Sequence, residues 1–193
     1  DYQCPVCAKY SLDVEPSLVN KYVAAGQLRI EHNDIAILGP GGTADESMIT
    51  AKGAYCANEQ GKYWPYAHWI YSNQLGENQG DFNTERVTEI AVAAGVEEQA
   101  FSSCLSSETA LTHVAETTSK ALGLGINSTP TMYIGDQQIV GLKGIAELSA
   151  LIDAELAKEG KRAVVFLIND PDVLVGLLIG GMMVCLFTSL SME

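Results

Sequence analysis

The sequence is poor in basic residues. Eleven Lys and Arg stand against 24 Asp and Glu, a net charge of −13. Phosphate binding needs clustered Lys and Arg, so this balance argues against nucleic acid as the main partner. The acidic residues are spread along the chain rather than gathered in a tail, which reads as a solvated, solubilising surface. Histidine is scarce too: His32, His68 and His113 are scattered with no HxxxH spacing. Five cysteines (Cys4, Cys7, Cys56, Cys104 and Cys185) in 193 residues are too few for a disulfide-stapled mini-scaffold. Internal repeats, low-complexity stretches and a secretory signal are not visible. The chain begins at an aspartate directly on a motif, which reads as a fragment whose own N-terminus is missing. What remains is 47% hydrophobic, enough for one domain with a real core, or one domain plus a small insertion.

Pro5 suits the first position of a helix, so a helix is expected to start at Cys4. Pro16 should break or kink it at Glu15, and a second piece, SLVNKYVAAG, should end on Gly26. LRIEHNDIAIL alternates as a strand over Leu28 to Ile37. After the loop GPGGTADES, residues 46–74 read as one long helix or two, with Pro65 a kink. Asn83 or Thr84 caps a helix closed by Gly95, and another runs from about Thr109 to Leu122. TMYI and QQIV flank Gly135-Asp136 as a hairpin. Gly144 to Lys158 forms a last amphipathic helix.

The chemistry concentrates in Cys4-Pro5-Val6-Cys7. A thiolate, not a thiol, attacks a disulfide. At a helix N-terminus Cys4 faces the free N–H groups of Val6 and Cys7 and the positive end of the helix dipole, so its pKa should fall below the free value of roughly 8.5. Cys7, one turn deeper and less exposed, can reach back to resolve a mixed disulfide. Zinc is a weaker reading, because a CxxC zinc site draws on a second close pair or a His pair; no metal is expected. Thr129-Pro130 opens the late hairpin. A cis bond there would present the Thr129 backbone to an extended substrate.

DYQCPVCAKY, YCANEQGKYWPYAHWIYSNQ, AFSSCL and NSTPTMYIGDQQIVG, in that order, resemble the DsbA-like branch of the thioredoxin superfamily over residues 1–158. The resemblance implies an α/β, thioredoxin-like fold with an inserted helical subdomain: residues 1–40 and 124–160 as the thioredoxin-like domain, 41–123 as the insertion. It implies Cys4 as nucleophile, Cys7 as resolving cysteine, Pro130 as cis-proline with Thr129 before it, and Pro5 and Val6 beside them at the substrate-binding surface. Cys56, in the first insertion helix, and Cys104, in an FSSCL turn, match positions that form a structural disulfide in some relatives. From the residues alone, two buried thiols would read equally well.

Two departures from that family pattern stand out. The strand and helix that precede CPxC are absent, with the buried acidic position that members use for proton transfer; AVVFLI, Ala163 to Ile168, is strand-like and could fill the strand's place. The dipeptide is Pro-Val rather than Pro-His, which implies a milder oxidant. Trp64, Tyr66, Trp69 and Tyr71 read as insertion core with one or two at the surface, and His68 among them as structural.

Beyond Arg162 the composition changes. Residues 173–190 carry no charge, near the short end of a transmembrane span, with a Gly176/Gly180 GxxxG spacing; Cys185 lies inside as an inert thiol. Residues 168–192 faintly resemble a segment of membrane-integral pyrophosphatases, without that family's acidic motifs. Lys158, Lys161 and Arg162 would place the near side of such a span in the cytoplasm, whereas an oxidase domain belongs outside it.

Together these features predict a thiol–disulfide oxidoreductase, outside the cytoplasm and membrane-anchored if the run is a span. Its redox-active disulfide would serve in place of a cofactor. Its partners would be reduced substrate proteins and a membrane or soluble protein that reoxidises it. The competing readings are a reductase or isomerase on the same fold, and a non-catalytic module using CPVC for a metal or a static disulfide.

Overall fold

The computed structural model describes residues 1–41, 45–159 and 163–167. Helix α1 spans Pro5–Lys9 and α2 spans Glu15–Leu18; π-helical turns at Tyr10–Val14 and Val19–Val23 follow each of them. Pro16 therefore does not interrupt the helical run. It falls in the first turn of α2, and the wider π turn ahead of it absorbs the hydrogen bond that a proline cannot donate. Tyr10, Val14, Leu18 and Tyr22 recur every fourth residue and are buried together, as one face of a helix requires.

Strand β1 covers Leu28–His32, shorter than the alternation predicts. Past His32 the N–H groups of Ala36, Ile37 and Leu38 go to side chains instead of a neighbouring strand. Helices α3 (Glu46–Asn58), α4 (Tyr63–Ser72), α5 (Thr84–Ala93), α6 (Glu98–Leu105) and α7 (Glu108–Gly123) follow. Asn83 caps α5 by accepting from the N–H of Arg86 at 2.8 Å. Two expectations fail here for local reasons. Pro65 is the third residue of α4, not a kink, because first-turn N–H groups lack helical partners anyway. FSSCL belongs to α6 rather than a turn, since Glu97 starts a helix there by accepting from Gln99 and Ala100 N–H.

Strands β2 (Thr131–Ile134) and β3 (Gln137–Val140) form the expected hairpin, with Gly135 taking a positive φ of 56° at the turn. After α8 (Ile145–Glu159) the chain returns as β4 (Ala163–Leu167). The sheet order is β1-β4-β2-β3. β4 runs parallel to β1 and antiparallel to β2, so AVVFL occupies the central position that the sequence leaves open. It pairs backbone edges of both neighbours that would otherwise face nothing.

Three cores result. The first π-helical run and α8 cover one sheet face, with Met132, Ile134, Ile139, Leu148 and Ile152 buried among the stripe residues; Tyr22 locks the two helices by donating to Asp153 Oδ1 at 2.7 Å. Ile35, Ala121 and Ile126 form a small core with Tyr133 against it. The third core is helical, and it includes Tyr2, Cys4, Cys7 and Ala8. The CPVC turn therefore sits on the seam between the helical layer and the sheet. Residues 168–192 and the apolar run 173–190 lie outside the described residues. Among the described residues no helix is long and apolar enough to cross a membrane.

Candidate active site

Cys4 is the N-cap of α1 and is extended, with φ −72° and ψ 115°. That conformation folds the thiol over the helix start, where its Sγ accepts from the N–H of Cys7 at 3.4 Å. On its other side the Cys4 thiol donates to the carbonyl oxygen of Thr129, also at 3.4 Å. The Thr129–Pro130 bond is cis. Thr129 Oγ1 is buried with no hydrogen-bond partner, beside both thiols, and its side chain favours the thiolate of each. Pro5 and Val6 stand exposed beside it, Val6 at 41%. The structure thus gathers Cys4, Cys7, Pro5, Val6, Thr129 and Pro130 in one place from segments far apart in the chain.

The two thiols are not alike. Donation from the Cys7 thiol is the largest influence on Cys4; burial opposes it, and Thr129 with the N–H groups of Cys7 and Val6 adds to it. The sum lowers the Cys4 thiol to about 5. Cys7 moves the other way, because its proton is held by Cys4 and it is buried, with the Asp1 amino group 3.9 Å from its Sγ opposing the shift. The expected difference in exposure is not seen: Cys4 and Cys7 are 4% and 5% exposed. Hydrogen bonding, not access, separates them.

The start of the chain is fastened by residues that the sequence did not single out. The Asp1 carboxylate accepts from the N–H of Gln3, Ile37 and Leu38 and from Ser47 Oγ, at 2.9, 2.9, 3.1 and 2.9 Å. Gln3 donates to Ser47 Oγ at 2.8 Å, and Gln74 donates to the carbonyls of Tyr2 and Cys4 at 2.9 and 3.3 Å. These bonds clamp the CPVC turn to α3, to the loop after β1 and to the end of α4. Behind Cys7 lies a cavity of about 50 Å³ whose walls include Tyr10, His32, Asp34 and Thr129.

Cys56 and Cys104 are joined, with Sγ–Sγ 1.99 Å, and tie α3 to α6. Tyr66 and Tyr71 are core at 0% and 8% exposure, while Trp64 and Trp69 are exposed at 49% and 44%. His68, read as structural, is instead exposed on α4. Among the described residues no three His, Cys, Asp or Glu side chains gather where a metal could be held. Cys185 lies outside the described residues.

A family model described as thioredoxin matches residues 1–154. The chain belongs to the thioredoxin family. It is 24% identical over 162 residues to Disulfide bond formation protein D of Bacillus subtilis, covering 81% of this chain and 69% of that protein. The oxidised BdbD structure from Bacillus subtilis superimposes with a TM-score of 0.72 at 19% identity, over 81% of this chain and 84% of that one. A thioredoxin-like oxidoreductase from Silicibacter pomeroyi gives a TM-score of 0.64 at 25% identity, over 80% and 81%. Within the thioredoxin family the chain is a DsbA-like thiol–disulfide oxidoreductase, and its fold is the expected thioredoxin-like core with helices inserted between β1 and β2.

Proposed function

We propose that this protein is a dithiol oxidase in which Cys4 is the nucleophile and Cys7 the resolving cysteine. A substrate thiolate attacks Cys4 Sγ of the Cys4–Cys7 disulfide, and Cys7 leaves and takes up a proton. A second substrate thiolate then attacks the substrate sulfur of the mixed disulfide, forming the substrate's disulfide and releasing Cys4 as a thiolate. The observation that carries this reading is the Cys4 thiol held at about 5 by the Cys7 thiol, Thr129 and two backbone N–H groups. A stabilised Cys4 thiolate is a good leaving group, and it stabilises the reduced form, which makes the disulfide form oxidising.

Thr129, Pro130, Pro5 and Val6 form the surface that meets the substrate chain. The redox-active disulfide serves as the only cofactor; a second protein disulfide reoxidises the pair. Residues 1–40 and 124–160, joined in the sheet by β4 at 163–167, act as the thioredoxin-like domain and 41–123 as its helical insertion. Work outside the cytoplasm fits this chemistry, since a disulfide donor needs an oxidising compartment.

The test is oxidation of a reduced two-cysteine peptide by the disulfide form. Cys4→Ser is expected to abolish it; Cys7→Ser, offered the peptide in its disulfide form, should trap Cys4 in a mixed disulfide visible by mass, the Cys4 thiolate displacing one peptide sulfur as a thiolate. A Cys4→Ser protein that oxidises the peptide at the parental rate would show the assignment to be wrong.

A further inference from the structure

We propose that the face around Trp64 docks a basic segment of a partner protein, whose Arg or Lys side chain enters an aromatic groove while its apolar neighbours fill a second groove alongside. Trp64 stands 49% exposed in the first turn of α4, and two grooves meet at it. One, of about 580 Å³, lies between β1 and helices α3, α4 and α7. The other, of about 550 Å³, lies between β1, α4 and the helical run over residues 11–23. Ile30 and Trp64 line both. Each has the size of a ligand site, roughly 300–1,000 Å³, and a tryptophan at the centre of a contact is the side chain that most often carries its binding energy. None of Cys4, Pro5, Val6, Thr129 and Pro130 lines either groove. A segment seated here therefore leaves the redox pair open.

Aromatic rings wall the first groove. Tyr55 of α3 and His113 of α7 stack with centroids 4.5 Å apart. From β1 and α4, the Trp64 ring lies 4.8 Å from that of His32 and 5.2 Å from that of Tyr63. Ring faces attract a cation. The carboxylates nearby are already answered, save one. Tyr63 donates to Asp34 Oδ1 at 3.0 Å, Glu31 pairs with Arg29 at 2.5 Å, and Glu15 Oε1 lies 2.6 Å from His32 Nε2. Glu59 lines the groove, is exposed, and its carboxylate pairs with no described residue. It caps the C-terminus of α3, where the helix dipole adds negative potential. No Lys or Arg lines this groove. The charge at Glu59 is thus left for a cation from outside.

The second groove supplies the apolar part. Pro16, Val19 and Val23 line it with Ile30 and Ala67, and Val19 is 38% exposed. A segment with one basic residue beside two or three apolar ones would cover both grooves at once and take Val19 and the Trp64 ring out of water. Charge decides between occupants. The net charge of −13 repels an anionic partner and equally a second copy of this chain, and it steers a basic segment toward the face.

The probe is a short peptide of alternating leucine and arginine, with a leucine–glutamate counterpart as control. Trp69→Phe in the full chain leaves Trp64 as the sole tryptophan, so its fluorescence reports this face. The arginine peptide should change that fluorescence saturably, and less tightly as salt rises; the glutamate peptide should not. By calorimetry on the full chain, Trp64→Ala should weaken binding on the order of tenfold. Glu59→Gln should weaken it about threefold and flatten its salt dependence. Alkylation of Cys4 should keep the parental rate in both variants and with the peptide bound, which shows that the variants fold and that the two surfaces are separate. No saturable change, equal binding of the two peptides, or parental affinity in Trp64→Ala overturns the proposal. Slower Cys4 alkylation with the peptide bound overturns it too, since the peptide would then sit on the redox surface. So does a dimer in sedimentation that Trp64→Ala turns into a monomer, which gives the face to a second copy.

Discussion

Cys4 and Cys7 are three apart in sequence and remain thiols, whereas Cys56 and Cys104 are 48 apart and joined. Burial does not account for the difference: Cys4, Cys7 and Cys56 are 4%, 5% and 1% exposed, and Cys104, in the joined pair, is only partly buried. The surroundings do. Cys4 has a helix start, a neighbouring thiol and the Thr129 side chain beside it, all of which stabilise a thiolate. Cys56 is buried with Ala54, Ala57, Phe101 and Leu105 in the helical core, and Cys104 packs against it. A sulfur that must open and close needs groups that favour its anion; one that only holds helices together needs their absence.

Breaking the second pair tests whether the two are separable. Closing a 48-residue separation stabilises the fold by about 4 kcal/mol in the loop-entropy picture. Cys56→Ala with Cys104→Ala should therefore lose up to about 4 kcal/mol in urea unfolding. Cys4 alkylation in the folded double variant should keep the parental rate and pH dependence. A change in that pH dependence would mean the insertion disulfide tunes the redox pair, and the contrast drawn above would fail.

Gly53 offers a smaller perturbation of the same helix, α3. A Cβ there would run into the hydroxyl of Tyr66 and meet Val87 at 3.0 Å. Tyr66 is fully buried and donates to the Thr50 carbonyl at 2.9 Å, so it cannot swing away freely. Alanine favours helix over glycine by about 1 kcal/mol, but overpacking costs about 1–3 kcal/mol. The packing term should win here, and Gly53→Ala should be less stable by about 1–2 kcal/mol with Cys4 chemistry unchanged. A variant as stable as the parent would show that α3 has slack around Tyr66.

Why the sequence showed one half of the site and not the other follows from the same contrast. Cys4, Cys7 and Pro130 belong to patterned segments: a CxxC at a helix start, and a proline opening a hairpin. Asp1, Asp34, Tyr63 and Gln74 are lone residues whose value lies in what the fold brings to them. Asp34 lies in a stretch that alternates like a strand, and only the backbone bonds lost to Thr118 and Asp1 show that the strand stops at His32. Among the insertion helices α5 is legible from its cap and periodicity and α7 from its extent, α3 and α4 only as one stretch whose break falls at 59–62 and not at Pro65, and α6 not at all, since its eight residues carry too little pattern. The place of AVVFL in the sheet could be suggested from strand propensity, but its two neighbours could be identified only from the pairing itself.

The finest test concerns Cys4 alone. Its lowered pKa means that the thiolate is already formed above about 5, where a free cysteine is still protonated up to roughly 8.5. Iodoacetamide should modify reduced Cys4 at a rate that is flat at neutral pH and falls as pH drops through about 5. The same depression contributes stability to the reduced protein, present above the unfolded value and lost as pH falls through the folded one. Thr129→Val removes one of the donors while filling the same volume, so the midpoint should rise. The rise should stay smaller than that caused by losing the Cys7 thiol, which is the larger influence. An unmoved midpoint in Thr129→Val would assign the Cys4 thiolate to the helix start and Cys7 only. Thr129 would then touch the redox pair through its carbonyl and not its hydroxyl.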